Sequence, residues 1–596
     1  MRIHSITGVL CNLLASSLAA PSVTLEPSNV MFEGVTADEY RVEQFMNIRF
    51  GHDTSGSNRF RHPKAFQYTE NSIVDASMTG TACPQQYDPI PGLPYIANVT
   101  NISKDCLTLR IARPEGISSD AKLAVMVWLY GGGDSIGQIY DTLYDPSPFV
   151  ANSWATGHPI IYAAVNYREG NLNAALLDQL MGIEWIKSNI AAFGGDPDNI
   201  TIFGESDGAT SVGPQVTAYG GNGTASFRRA IMESKSAAAD PGVASDFAFN
   251  STKLLQQQLN CTSASGNDSV AMDCLRSLPL DVLLSNTIAV EEAVLPPLGF
   301  EVFIADIVVA FPLWTETSFL RHHRNFVRHG RFYKNVSMLF GWNEQDGTAF
   351  VMQNSSSDAD VTDFLRATYP GLRKETISEI LEYYPVSEFQ SAYSLSAQYY
   401  RLAAMYRDAE FVCPSLMLAD QVHKYGETSY LFSLNQTIFA ESDQALLPLG
   451  VMHASDLPYV FNTASLFRNT TVSDDILATE LSTIWTTYAS TGEIPASYDW
   501  PQAFKCAHNA TWPENANIRV FGGQTHPNPG FTRRMLDGSC CIIVKAPCSI
   551  TNGNPESLRS LRSLRSTAGL PTILALSGES PVELMTQPYI RHCYIY

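Results

Sequence analysis

Charge is scarce in this chain, and positive charge scarcer still. Only 16% of its 596 residues are charged, and 38 Lys and Arg stand against 59 Asp and Glu, a formal net charge of −21. That excess repels phosphate backbones and anionic bilayer surfaces over a Debye length, about 8–10 Å at physiological salt, so nucleic acid is excluded as a partner. No apolar run approaches the roughly 18 residues needed to span a bilayer, so no transmembrane anchor is expected. Long low-complexity tracts are missing as well. A hydrophobic content of 45% supports a substantial core, and a chain of this length fits one large α/β unit as readily as several smaller ones.

The first twenty residues read as a secretory signal peptide. Arg2 precedes a moderately apolar stretch through Leu13 and Leu14, and Ala19-Ala20 stand before Pro21. Asn-x-Ser/Thr acceptors recur from Asn98 to Asn509, a density suited to a secreted glycoprotein. Asn199-Ile200-Thr201 also matches but opens an apolar strand, where a buried, unmodified side chain is expected. Of eleven cysteines, Cys11 falls in the leader, and the even remainder suits an oxidising compartment. Cys83 with Cys106 and Cys261 with Cys274 would each close a local polar loop. Spacing leaves open the pairing of Cys413, Cys506, Cys540, Cys541, Cys548 and Cys593.

Short apolar, β-branched runs alternate with helical segments, the pattern of a mostly parallel sheet covered by helices. The runs are 123–130, 159–165, 200–203, 336–340, 430–434 and 518–521. Between the second and third, residues 174–193 carry a largely 3.6-period apolar stripe and read as the crossover helix that parallel strands require. From about residue 549 the chain changes character, with Leu-Arg-Ser repeated over 558–566, and reads as a poorly ordered tail. Domain bounds of 1–20, 21–548 and 549–596 follow. The basic run from Arg321-His322-His323-Arg324 to His329 and Arg331 is read as a solvated helix face rather than a metal site or cationic patch.

The chemistry gathers around two glycine-rich turns. A strand from Ile200 runs into Gly204-Glu205-Ser206-Asp207-Gly208, a Gly-x-Ser-x-Gly elbow that sets a serine on a strained strand-to-helix turn. The same pattern at Gly133-Asp134-Ser135-Ile136-Gly137 leads into loop rather than helix, so Ser206 is the candidate nucleophile. Gly131-Gly132-Gly133 directly follows the strand 123–130. Backbone N–H groups of Gly132, Gly133 and Asp207 would stabilise the oxyanion formed when an ester carbonyl is attacked.

In order along the chain, Lys104-Asp105-Cys106-Leu107-Thr108-Leu109, Asn166-Tyr167-Arg168, Asn189 to Pro197, the elbow, and Arg229 to Ser234 resemble the type-B carboxylesterase and lipase family. The likeness extends over most of the chain and takes in secreted fungal enzymes. It implies an α/β-hydrolase fold, a large mostly parallel sheet flanked by helices, with no metal or organic cofactor. Gly341 to Phe350 resembles the family's acid segment with Asp346 in place of the usual Glu; Glu344 is a less suited substitute, two positions off. Gly450 to Phe461 resembles the histidine segment and implies His453 as general base, completing the order Ser, acid, His.

The resemblance implies a secreted hydrolase acting on small-molecule or lipid esters through an acyl-enzyme. Its alternative is a catalytically impaired member that binds a partner or mediates adhesion. A cholinesterase is disfavoured, because the 83–106 loop offers only Tyr87 and Tyr95 where a cation cage wants Trp. The Pro89 to Pro94 segment of that loop would serve as a lipase flap or as plain surface. Nothing in the sequence sets an oligomeric state. Three departures from the family stand out. The 168–176 segment is short, implying a more open pocket or a misassembled coding sequence. Pro214 is expected to kink the helix after the nucleophile or end it early. Asp207 replaces a small residue, and its carboxylate must point away from the oxyanion.

Overall fold

The computed structural model describes residues 20–85, 99, 101–169, 175–237, 246–263, 268–294, 329–369, 372–504 and 516–523. The expected leader apart from Ala20, the tail, the Pro89 to Pro94 segment, Tyr87, Tyr95, most of the basic run and all the open cysteines except Cys413 lie outside them.

The strands are β1 (Ser22–Leu25), β2 (Val30–Glu33), β3 (Val35–Ala37), β4 (Val42–Arg49), β5 (Ile73–Asp75), β6 (Thr108–Pro114), β7 (Leu123–Leu129), β8 (Ile160–Val165), β9 (Gly195–Glu205), β10 (Arg229–Glu233), β11 (Ser337–Asn343), β12 (Ser429–Asn435) and β13 (Ile518–Gly522). Ten of them form one sheet in the order β13-β12-β11-β10-β9-β7-β8-β6-β4-β3, while β1, β2 and β5 form a small separate sheet. Every neighbouring pair from β13 to β8 is parallel, and the pairs beyond β8 are antiparallel. The apolar runs expected from sequence are the parallel strands. Covered on both faces, such strands must be apolar throughout rather than at alternate residues.

Three helices position the site: α1 (Pro146–Ala155), α2 (Ala175–Asn189) and α3 (Asp207–Thr217). The crossover helix is α2, with its expected last turn wound as a 3-10 segment, Ile190–Phe193, closed by Gly194 at φ 90°. Ahead of it the buried guanidinium of Arg168 grips Asp178 twice, Nε to Oδ2 at 2.7 Å and Nη2 to Oδ1 at 2.6 Å. This fork carries the geometry of a bidentate pair and ties the end of β8 to the helix across the short segment. At the centre, Trp128, Phe203 and Phe461 pack with ring centroids 4.8–5.8 Å apart.

Pro214 lies inside α3, and the helix runs on through it to end three residues later at Thr217, where Tyr219 turns left-handed. A proline this near the C-terminus removes one backbone donor without stopping the remaining turn. Asn199 sits within β9, half-buried, its side-chain oxygen accepting from Arg229 at 2.5 Å and its amide donating to Ser490 O at 3.3 Å. Both expected local disulfides are formed, Cys83–Cys106 and Cys261–Cys274, and Cys413 is disulfide-bonded as well. No described helix is long and apolar enough to cross a membrane.

The second Gly-x-Ser-x-Gly match lies in the loop after β7, as expected. Ser135 donates back to Gly133 O at 3.0 Å and to Glu291 Oε1 at 3.3 Å, on the helix Leu280–Val294. Burial pushes the Glu291 carboxyl up to about 7, against the opposing effect of the Ser135 hydrogen bond. A raised acid pKa gives stability that is complete below the ordinary glutamate value and lost as pH climbs through the folded-state value. Glu291→Gln, which cannot ionise, is therefore expected to gain melting temperature over the wild type on going from pH 5 to pH 8. A pH-independent difference would show that this carboxyl does not titrate there. The elbow gives a second expectation. A Cβ on Gly208 would sit 2.1 Å from Leu129 O and 2.7 Å from Tyr130 O, so Gly208→Ala should cost on the order of 1–3 kcal/mol. A thermal melt indistinguishable from wild type would contradict that packing.

Candidate active site

The carboxyl ends of adjacent parallel strands are where open α/β sheets place their binding clefts, and here the ends of β7 and β9 and the turn after β11 each line part of one pocket, while β10 braces it from behind. From β9 the backbone turns into α3 within a single residue, so Ser206 is forced to φ 58°, ψ −128°. Such a conformation costs a non-glycine residue about 1–3 kcal/mol and persists only where the surroundings over-determine it. Here they do: Ser206 N donates to Glu233 O on β10, and Ser206 O accepts Thr210 N to start the helix. The two glycines around it let strand and helix cross, since a Cβ on Gly204 would lie 2.5 Å from the Gly208 backbone.

From β7 comes the glycine turn. A Cβ on Gly131 would fall 2.5 Å from Glu205 O and 2.8 Å from Ser206 Cβ, so this turn presses directly on the elbow. Gly132 and Gly133 take φ values of 137° and 64°, and the Gly132 carbonyl is occupied by the N–H groups of Ser135 and Ile136. All three glycines line the pocket with Ser206, Asp207 and His453. Its remaining wall is mainly apolar, formed by Trp128, Ile136, Leu143, Tyr144, Phe350 and Leu457, with Asp141 and Glu205 as the other acidic lining groups.

His453 is held on every side. Its Nδ1 lies 2.9 Å from Asp346 Oδ1, and Phe350 and Phe411 pack on the ring at 4.9 and 5.2 Å between centroids. Asp346 opens a 3-10 turn just after β11. It accepts the Ser234 hydroxyl at 2.9 and 3.1 Å and the Asn343 N–H at 2.7 Å, which fix the carboxyl in place. The shorter aspartate thus reaches the imidazole. Glu344 faces elsewhere, accepting from Ser433 at 2.5 Å with Arg407 at 3.8 Å.

The other ring nitrogen, Nε2, stands 3.1 Å from Glu205 Oε1. Burial first, then the charges of Asp456, Asp346, Glu233 and Asp207, push the Glu205 carboxyl well above the usual range, so its neutral form is favoured. Behind it, Glu233 is raised by burial and by Asp456 while accepting Trp485 Nε1 at 2.6 Å. Asp456 is pushed up to about 6 by burial, partly offset by Asn343, which donates to it at 3.1 Å. These acids surround the imidazole without all carrying charge.

Of the residues singled out from sequence, the structure brings Ser206, His453 and the glycine turn to one pocket, with Asp346 against the imidazole just outside its wall. Sequence reasoning missed Glu205 as a neighbour of the histidine, and Asn343 and Ser234 as supports of the acid. Glu205 and Ser234 were already part of quoted motifs, and Asn343 lay inside the acid segment. Lys235, one residue past a quoted motif, was missed too. Its Nζ lies 2.9 Å from Asp207 Oδ1, both side chains buried, so the Asp207 carboxylate meets a cation.

Residues 28–517 match the carboxylesterase family. Among similar proteins, an inactive carboxylesterase-like protein of Byssochlamys spectabilis is 36% identical over 80% of this chain and 86% of its own. A secreted lipase of Arthroderma benhamiae is 33% identical over 93% and 98% of the two chains, and a lipase of Geotrichum candidum is 30% identical over 76% and 85%. The fold, the strand-end pocket and this likeness over nearly the whole described sheet agree: the chain belongs to the carboxylesterase family of α/β-hydrolases.

Proposed function

We propose that this protein is a secreted serine hydrolase that cleaves carboxylic esters with Ser206 as nucleophile, His453 as general base and Asp346 as its orienting acid. The observation that carries the reading is the 2.9 Å Asp346–His453 contact at a pocket that also holds Ser206 on a strained elbow. His453 Nε2 takes the Ser206 proton as Oγ attacks the ester carbonyl carbon. The developing oxyanion is met by the N–H groups of Gly132, Gly133 and Asp207. Collapse expels the alcohol, which receives the proton from His453, and water then releases the acid from the acyl-serine by the same steps. The reaction needs Nε2 to move from Glu205 to the hydroxyl of the next residue. A neutral Glu205 makes that move easier than an anion would, since an anion would hold the imidazolium.

The apolar wall suits an acyl or alcohol chain of low polarity, and relatives named secreted lipases support both an ester substrate and an extracellular site. The second reading, a member that binds a partner without catalysis, has a relative named inactive in its favour. Against it stands a complete serine, acid and histidine set.

Ser206→Ala is expected to lower hydrolysis of short and long nitrophenyl esters by about 10³-fold or more while melting like the wild type. Equal rates for the two proteins would remove the nucleophile. Asp346→Asn should lower kcat by roughly 10²–10⁴-fold because the imidazole loses its orienting anion. Glu344→Gln is expected to stay within a few-fold of wild type. The reverse ranking in the same steady-state assay would assign the acid to Glu344.

A further inference from the structure

The reaction just proposed asks one residue to do two opposing things. The N–H of Asp207 is to donate to a developing negative charge, while the side chain of the same residue carries a carboxylate into the buried wall of the pocket. In a site of low effective dielectric a carboxylate a few ångströms from an oxyanion opposes it strongly, and serine alone supplies nothing to offset that.

The sheet register brings the answer. Glu205 and Glu233 are the last paired residues of β9 and β10, so the first residue of α3, Asp207, and the second residue past β10, Lys235, emerge from neighbouring strand ends and meet. Nζ and Oδ1 are 2.9 Å apart, with side-chain exposures of 5% and 6%. The other carboxylate oxygen of Asp207 is buried and has no hydrogen-bond partner among the described residues. The Lys235 backbone is set by Ser234, which turns at φ 49° with its N–H on Gly341 O. On its far side Ala237 packs so closely on α3 that a Cβ on Gly213 would lie 2.3 Å away. Burial alone would lower the ammonium pKa, but Asp207, Glu410 and Asp134 outweigh it and raise the value, so the cation persists.

We propose that Lys235 is a positioning residue for ester hydrolysis, the counter-charge that neutralises Asp207 so that the oxyanion forms beside the Asp207 N–H. The inference rests on the esterase reading above. It concerns the sign of a charge rather than the strength of a strut, and that makes the two separable. A merely structural ion pair loses as much from either end. A counter-charge does not, because removing the cation leaves a bare anion beside the oxyanion, whereas removing the anion leaves a cation that favours it.

The experiment compares kcat and KM for p-nitrophenyl acetate in wild type, Lys235→Met, Asp207→Asn and the double variant, with melting temperatures for each. We expect Lys235→Met to lose about 10–100-fold in kcat with KM little changed, less than the roughly 10²–10³-fold lost with an oxyanion donor itself, because all three N–H groups stay in place. Asp207→Asn should keep at least about tenfold more kcat than Lys235→Met, and the double variant should recover most of that difference. Equal losses in both single variants, tracking their melting temperatures, with no recovery in the double, overturn the proposal. Should Lys235→Met fail to fold, the comparison of Asp207→Asn with the double variant still decides. Once the carboxylate is gone, removing Lys235 should change kcat by only a few-fold, and a large further loss overturns the proposal. An inert wild type that also resists a fluorophosphonate probe would instead sink the esterase reading itself.

Discussion

The site depends on one close crossing of backbones. Strand β9 must become helix α3 within a single residue while the turn after β7 passes directly over the junction, and each of these paths lies within about 3 Å of where a neighbour's Cβ would be. That geometry forces glycine at 131, 204 and 208 and drives Ser206 to positive φ. In return, the serine side chain and the N–H groups intended for the oxyanion occupy the same few ångströms of space. Because the crossing is built from strands in the middle of a ten-stranded sheet, its position is set by the core and not by loops. A nucleophile on a loop would lack that rigidity.

The second constraint is electrostatic. A chain with so large an acidic excess has placed Glu205, Asp207, Glu233, Asp346 and Asp456 around one histidine and one serine. All five side chains are buried, and they differ in the donors they receive. Asp346 receives a hydroxyl and a backbone N–H, and Asp207 receives an ammonium. Glu205 and Glu233 are instead pushed up first by burial and then by the charge of Asp456. Donors gather on Asp346 and Asp207, whereas burial raises the carboxyls of Glu205, Glu233 and Asp456. In the mechanism proposed above, that division lets the imidazole serve as a base while surrounded by carboxyl groups.

Much of this was legible in the sequence, for identifiable reasons. Parallel strands covered on both faces must be continuously apolar, so 123–130, 159–165 and 430–434 could be read directly, with ends off by a residue or so. The short strand Arg229–Glu233 went unread as a strand because its outer residues are charged, although it lies between β9 and β11 and carries Ser234 and Lys235 at its end. Gly-x-Ser-x-Gly is local, so its context separated Ser206 from Ser135. The Asp207–Lys235 pair joins the chain just past two neighbouring strand ends, 28 residues apart in sequence, which no local pattern reveals. Asp207 looked like a liability until its partner was visible. Pro214, also expected to disrupt, is accommodated because so little of the helix follows it.

The most direct test of the central claim is a crystal structure of the protein after reaction with a dialkyl p-nitrophenyl phosphate, whose phosphorus bonds to the attacking oxygen as nitrophenolate leaves and so traps it in tetrahedral form. The account predicts phosphorus bonded to Ser206 Oγ, its free oxygen about 2.7–3.1 Å from the N–H groups of Gly132, Gly133 and Asp207, and His453 turned from Glu205 toward Oγ. An adduct on another residue, or a free oxygen facing away from those three amides, would contradict it.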